Sequence, residues 1–302
     1  METTHGVHAD AHRRRSIFVM LVAVAFFALM DAGLKTLSER YPPFQVATLR
    51  GAASLPLVLA WTLATIGFAP LLRVRWALHA LRGVIGIAMM AAFVYALKRM
   101  PLSTAYTIFF VAPLLITAMS VPFLGERVGP RRWTAIGIGL LGVLVVLRPS
   151  GAGMASLAGL AVLLAAFGYA VSAITVRVLA RTDSNQAMVV WLLASMALGA
   201  GALAWPDWRP IRHEDLWLIA GIGVVGALGQ YAITHAFRHG EASLLAPLEY
   251  TALVWGVLLD AFVWGVLPNS VTWLGAGIII ASGLYLIRRE GAHPPVEPIA
   301  PP

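Results

Sequence analysis

The sequence predicts an all-α integral membrane protein of ten transmembrane helices, arranged as two five-helix repeats inserted in opposite directions. Three observations carry that expectation. Of 302 residues, 59% are hydrophobic and only 12% are charged, about half the charge of an average soluble domain. The apolar residues gather into ten runs near the length of about 20 residues that spans hydrocarbon. The chain also resembles itself at a fixed offset of 140 residues.

The first run, 16–35, follows Arg13, Arg14 and Arg15. RRRSIFVMLVAVAFFALM has the basic start of a signal peptide, but the run is long for one and further spans follow. It reads as an uncleaved first helix behind a tail of residues 1–15. Runs 44–66, 79–97 and 103–124 supply the second to fourth spans, and 133–147 is a short fifth. Runs 157–180, 186–205, 216–237 and 242–267 repeat the plan, and 272–287 is again short. Turn residues such as Tyr41-Pro42-Pro43, Gly129-Pro130, Pro149-Ser150-Gly151 and Pro268-Asn269 join them. The domain plan is a first repeat over 16–149, a second over 155–289, and a Pro-rich tail, 290–302, expected to be disordered.

The repeat fixes this division. The offset pairs Ala96 with Ala236, Ser103 with Ser243, Gly125 with Gly265, Trp133 with Trp273, Gly137 with Gly277, Ile138 with Ile278 and Arg148 with Arg288. It holds without a gap over about fifty residues. Five spans per half is an odd number, so the halves insert in opposite directions. With the N-terminus in the cytoplasm, 14 of the 22 basic residues lie on that side, seven lie on the other and Arg50 sits inside the second span. This bias places both termini inside and the chain in a cytoplasmic (inner) membrane. Lys98-Arg99 is the main discordant pair. An inverted repeat of this size points to alternating access around a site near the midplane.

The net charge of +8 follows from that topology and implies no nucleic-acid partner. The absence of cysteine excludes disulfides, thiolate zinc sites and a cysteine nucleophile. No P-loop is present, so ATP is not the direct energy source. His235 and His239 stand at i, i+4 but lack a third ligand, and His5, His8 and His12 read as a solvated tail. No metal, cofactor or enzymatic cluster is expected.

FLGERVGPRRWTAIGIGLLGVLVV, Phe123 to Val146, resembles the ending of each half in EamA-type members of the drug/metabolite transporter superfamily. ASLLAPLEYTALVWGVLL, followed by TWLGAGIIIASGLYL, is similar to the second copy. The first copy keeps Gly125-Glu126 where the second has Gly265-Val266; Glu126 is assigned a structural role, capping the fifth helix. The resemblance implies a basket of helices around a cavity lined by spans one, three, four, six, eight and nine, with five and ten at the periphery. The small-residue rows of those two, Gly137, Gly139 and Gly142, then Gly275, Gly277 and Gly283, permit close approach. They serve either a homodimer or packing within one chain, the latter preferred.

Polar groups inside the spans are the candidate site, because they are costly in hydrocarbon. Glu249 and Asp260 are eleven residues apart, roughly 20° past three helical turns, and so share one face about 16 Å apart with Leu253 and Gly256 between them. Glu249 is read as a cavity carboxylate that meets a substrate amine or carries a coupling proton. Asp260 has the same reading but approaches the outer interface. Asp31 stands four residues before Lys35, a spacing for an ion pair. Arg50 snorkels, neutralises a carboxylate or meets a substrate carboxylate. His235, with Gln230, Tyr231 and Thr234 around it, is either a proton relay or a core histidine. Tyr95, Tyr106, Tyr169, Tyr231, Tyr250 and Trp255 supply aromatic surface. Pro113 and Pro247 interrupt spans four and nine as hinges or static kinks.

The expectation is a secondary transporter in the lipid bilayer whose partner is a small-molecule solute. An amino-acid-like zwitterion is preferred, such as an amino acid or opine-type metallophore, with export preferred from the resemblance. The alternatives are uptake of S-adenosylmethionine and, in another class, a structural or partner-dependent membrane subunit. The second repeat argues against the last, since one chain already holds both halves.

Overall fold

A computed structural model describes residues 2–125, 130–147, 157–239 and 245–290; their side chains are described except at 2–15, 131–132, 135–136, 139–140, 143, 146–147, 239, 246–247, 279 and 283–290. Every regular element among the described residues is helical. In chain order these are α1 (Glu2–Ser38), α2 (Pro43–Thr65), α3 (Ala69–Leu72), α4 (Trp76–Leu97), α5 (Leu102–Phe109), α6 (Val111–Leu124), α7 (Pro130–Leu147) and α8 (Leu157–Leu179). There follow α9 (Asn185–Ser195), a π-helical turn (Met196–Ala200), α10 (Gly201–Ala204), two short 3₁₀ turns (Trp205–Asp207 and His213–Asp215), α11 (Leu216–His239), a 3₁₀ segment (Ala246–Thr251), α12 (Ala252–Trp264) and α13 (Ser270–Glu290).

Seven helical stretches are long and apolar enough to cross a bilayer: Ser16–Ser38, Pro43–Thr65, Trp76–Leu97, Leu102–Leu124, Leu157–Leu179, Asn185–Asp207 and His213–Arg238. The chain is therefore multi-pass, but ten full spans are not reproduced among the described residues. The ninth run is the clearest case. It divides between the 3₁₀ segment and α12, leaving 13 residues of α-helix. The expected tail 1–15 is largely a backward continuation of α1, which starts at Glu2. Glu126, Gly139, Gly283, the histidines at 5, 8, 12 and 239, and the C-terminal tail past Glu290 lie outside the described residues or side chains.

α1 packs along α11, α4 along α8, and α2 between α11 and α9, while α7 and α13 pack on each other at the side. Small residues set these approaches. A Cβ on Gly51 would lie 2.7 Å from the backbone N of Ala197, and one on Gly83 2.4 Å from Ser195 Oγ, so both helices could not lie as close with any larger residue. At Gly137 and Gly277 a Cβ would meet nothing within 4 Å among the described residues.

The repeat is visible in two ways. Gly125 (φ 72°) and Gly265 (φ 65°) end α6 and α12 in the left-handed conformation, 140 residues apart, where glycine has no Cβ to clash. The loops at the two ends of the bundle also match. At one end Asp215 accepts from Tyr41 Oη at 2.6 Å and pairs with Arg40, while Arg212 N–H donates to Tyr41 Oη at 3.0 Å. At the other, Asp183 lies 2.8 Å from His79 Nε2 and accepts from Arg75 N–H at 3.2 Å and Thr182 Oγ1 at 2.6 Å. The offset carries Arg75 onto Asp215 and the loop at 40–43 onto 180–183. Equivalent loops thus brace both ends, with the acid supplied by the opposite partner each time.

The Asp183 brace makes stability depend on pH. Burial alone would raise this carboxyl, but the hydrogen bonds from Thr182, His79 and the Arg75 N–H outweigh it and hold it below the ordinary 3.8. A depressed carboxyl contributes stability that is complete above its unfolded value and is lost as pH falls through its folded one. Detergent-solubilised protein is expected to melt at a falling temperature only as pH drops below about 4. In Asp183→Asn that part of the acid slope disappears. An unchanged slope in the variant contradicts the assignment.

Candidate functional site

The centre of the bundle holds a cavity of about 170 Å³ walled by α1, α2, α4, α5, α8, α9, α11, the 3₁₀ segment and the start of α12. Its geometry begins with broken helices. Pro113 has no N–H for the Phe109 carbonyl, so the chain interrupts its helix at Phe110 between α5 and α6. Phe109 and Phe110 consequently face the cavity. In the second half, a proline in the first turn of the 3₁₀ segment precedes Glu249; the Pro247 side chain lies outside the described ones. The tighter winding of this segment carries a buried Glu249 to the cavity wall, where its carboxylate accepts from Tyr169 Oη at 2.8 Å.

Towards the Lys35 end, Asp31 accepts from Tyr106 Oη at 2.9 Å. Arg50 is buried and donates through Nη2 to Gln230 Oε1 at 3.1 Å. Its Nε and Nη1 lie 3.1 and 2.8 Å from the thioethers of Met30 and Met196. Met196 opens the π-helical turn, and the closeness that Gly51 permits places its sulfur on the guanidinium. Arg50 therefore neither snorkels nor forms an ion pair within 4 Å among the described residues. Between these polar groups the walls are aromatic and thioether: Phe93 lies 5.7 Å from Phe109 and 6.4 Å from Tyr106 between ring centroids, and Phe109 lies 5.4 Å from Tyr169. Phe27, Phe237, Met89 and Met90 complete this lining.

Of the residues singled out in the sequence, Asp31, Arg50, Tyr106, Tyr169, Gln230 and Glu249 meet at one cavity. Asp260 does not. It is fully buried beside the start of α5, accepting from Leu102 N–H at 3.0 Å, Ser103 N–H at 2.8 Å and Ser103 Oγ at 2.7 Å. Lys35 pairs with it at 3.3 Å instead of with Asp31, which turns to the cavity and accepts from Tyr106 Oη. The shared face of Glu249, Leu253, Gly256 and Asp260 is buried throughout, but only its first member reaches the cavity. A Cβ on Gly256 would lie 2.7 Å from the Tyr106 ring, so this stripe seats that tyrosine.

The remaining candidates lie elsewhere. Tyr231 packs edge-on to Trp61 at 4.3 Å and stacks on His235 at 5.9 Å, on a face of α11 that points away from the cavity. Tyr95 carries the Arg99 guanidinium 3.6 Å from its ring centroid. Trp255 is partly exposed and off the cavity. Tyr250 packs edge-on to Phe110 at 5.0 Å, and its buried hydroxyl has no partner among the described residues. The sequence did not single out the cavity's phenylalanines and methionines, nor one charged residue. Arg82, counted there only for orientation, is buried in the cavity wall. The available signal was its place six residues inside α4. Among the described residues no group of three His, Asp or Glu side chains could hold a metal ion.

Comparison with known proteins adds a family. The profile of the EamA-like transporter family matches residues 14–148 and again 156–288. A riboflavin transporter of Vibrio cholerae is 31% identical over 284 residues, covering 92% of this chain and 95% of that protein. The pseudopaline exporter CntI of Pseudomonas aeruginosa is 26% identical over 278 residues, covering 92% and 97%. An S-adenosylmethionine uptake transporter of Rickettsia conorii is 28% identical over 270 residues, covering 89% and 91%. A solved structure matches with a TM-score of 0.66 at 22% identity, over 92% of this chain and 99% of that one, a likeness of fold alone.

Proposed function

Since the chain belongs to the EamA-like transporter family, and is a membrane transporter rather than an enzyme, we propose that it carries a flat, partly aromatic metabolite with polar edges through the central cavity by alternating access. Riboflavin is the solute we name first. The observation behind this reading is the lining: a band of Phe27, Phe93, Phe109, Phe110, Tyr169 and Phe237 with a few polar groups set into it. Ring systems stack on such walls, whereas a small amino acid would leave most of that apolar surface uncovered. The Vibrio cholerae relative supports the same choice.

In this reading Tyr169 positions the Glu249 carboxylate against a solute N–H or O–H, and Gln230 with Arg50 offers a second polar edge. Both termini lie in the cytoplasm and the chain sits in the inner membrane, as the basic residues favour. A second reading keeps the amino-acid-like zwitterion, an opine-type metallophore for export or S-adenosylmethionine for uptake. It is favoured by one fact: a carboxylate, Glu249, and a guanidinium, Arg50, face the same cavity without pairing to each other.

Counterflow in proteoliposomes distinguishes these readings and is blind to direction. Vesicles preloaded with unlabelled solute are expected to overshoot with labelled riboflavin. An overshoot with amino acids, opines or S-adenosylmethionine alone transfers the assignment to the second reading. Silence with every solute favours a partner-dependent subunit.

A further inference from the structure

We infer that Arg82 is a specificity-determining residue of the cavity, one that binds an acceptor oxygen on the edge of the solute and prefers a charged oxygen to a neutral one. This rests on the cavity being the solute site. A buried guanidinium far from a carboxylate is costly, and among the described residues no carboxylate pairs with Arg82. It is 3% exposed and forms no ion pair within 4 Å among the described residues. Asp183, an acid of the same end of the bundle, is engaged by His79, Thr182 and the Arg75 N–H. Arg82 holds instead to two neutral acceptors, Ser172 Oγ through Nε at 3.2 Å and the Met188 carbonyl through Nη1 at 2.7 Å. These fix the plane of the fork from α8 and α9. A guanidinium has five N–H donors, and two of the five are matched in this way.

The placement gives the remaining donors a target. Arg82 lies six residues into α4, about 9 Å along its axis, and Met89, Met90 and Phe93 follow it up the same wall. Arg50 and Asp31 stand towards the opposite end, where Arg50 donates to Gln230 and Asp31 accepts from Tyr106. Glu249 contacts only Tyr169 among the described residues. All four charged groups of the cavity, Asp31, Arg50, Glu249 and Arg82, are thus held by neutral partners among the described residues. A flat solute across the aromatic band would give a donor to Glu249 and an acceptor oxygen to Arg82. Charge-assisted bonds to arginine are roughly twice as strong as neutral ones, so an anionic edge is preferred.

The test uses two flat probes matched in their rings, naphthalene-2-carboxylate and naphthalene-2-carboxamide, titrated calorimetrically into the detergent-purified full chain. The wild type is expected to bind the acid about tenfold tighter than the amide. In Arg82→Gln that preference falls to within about twofold, while Arg82→Lys keeps part of it. Ser172→Ala leaves the charge in place but removes one anchor, and narrows the preference to about threefold; it serves as the measurement if Arg82→Gln does not fold. A loss of affinity for both probes alike marks Arg82 as structural and overturns the proposal. So does an undiminished preference in folded Arg82→Gln, or its loss in Arg50→Gln instead. If the wild type binds neither probe, the aromatic-solute reading falls together with this one; if it binds both and only the Arg82 result fails, that reading stands.

Discussion

Asp260→Asn is expected to cost about 3–5 kcal/mol of stability, the usual loss when one partner of a buried charge pair is removed. The magnitude follows from how many elements meet at that carboxylate. α5 begins after Pro101, and no side chain of its own caps it. Its first two N–H groups, of Leu102 and Ser103, are orphan donors of a helix start and both end on Asp260. Lys35 of α1 completes the site and rests 4.3 Å from the Trp264 ring centroid. An asparagine keeps one acceptor, turns an NH₂ group towards a donor, and leaves the Lys35 charge without its counter-ion. Thermal melting in detergent reads the loss, and adding Lys35→Met to Asp260→Asn should restore part of it because the stranded charge is removed. Melting of the single variant within a degree or two of wild type contradicts the assignment.

The same residue accounts for an asymmetry between the two ends. By the repeat offset Asp260 corresponds to Ser120, which donates only to Thr117 O within its own helix. The Lys35 end is therefore latched by an ion pair and a helix cap. The equivalent position in the other half has no charge to contribute.

Glu249→Gln is the second large effect, and it is on flux rather than stability. Glutamine is nearly isosteric and can still accept from Tyr169 Oη, so folding is expected to persist with a melting shift of no more than a few degrees. The variant loses the charge that a solute N–H or a coupling proton requires. Counterflow is expected to drop by at least about a hundredfold, the scale of losing a charge-assisted bond of about 3 kcal/mol. Tyr169→Phe, which removes only the hydroxyl that aims the carboxylate, should fall between the two. Normal flux in folded Glu249→Gln across pH removes Glu249 from the mechanism.

Much of this was legible in the sequence because it rests on local patterns. Apolar run lengths located seven of the ten expected spans, the 140-residue offset agrees with the two family matches, and the cost of polar groups in hydrocarbon selected Glu249, Asp31 and Arg50, which do meet at the cavity. What escaped depends on contacts between residues far apart. Asp260 and Glu249 look alike on a helical wheel, but the first finds its donors 157 and 158 residues away at the start of α5. Lys35 had a carboxylate at the ideal spacing on its own helix and ignored it for one across the bundle. Arg82 looked like one more loop cation because it lies near a span boundary, where arginine ordinarily reports topology. The ninth span read as one continuous helix, and its division into a 3₁₀ segment and α12 changes where Glu249 points.

The most direct test of the central claim, that solute binds in the cavity between the two halves, uses the absence of native cysteine. A single cysteine is placed at Ala173, a cavity-lining position on α8, and another, separately, at Asp207, exposed at the end of a short 3₁₀ turn. Saturating riboflavin is expected to slow maleimide labelling of Ala173→Cys at least about fivefold, the protection given by occupancy above 80%, and to leave Asp207→Cys unchanged. Equal labelling of Ala173→Cys with and without riboflavin, in protein that still performs riboflavin counterflow, would place the solute path elsewhere and contradict the account.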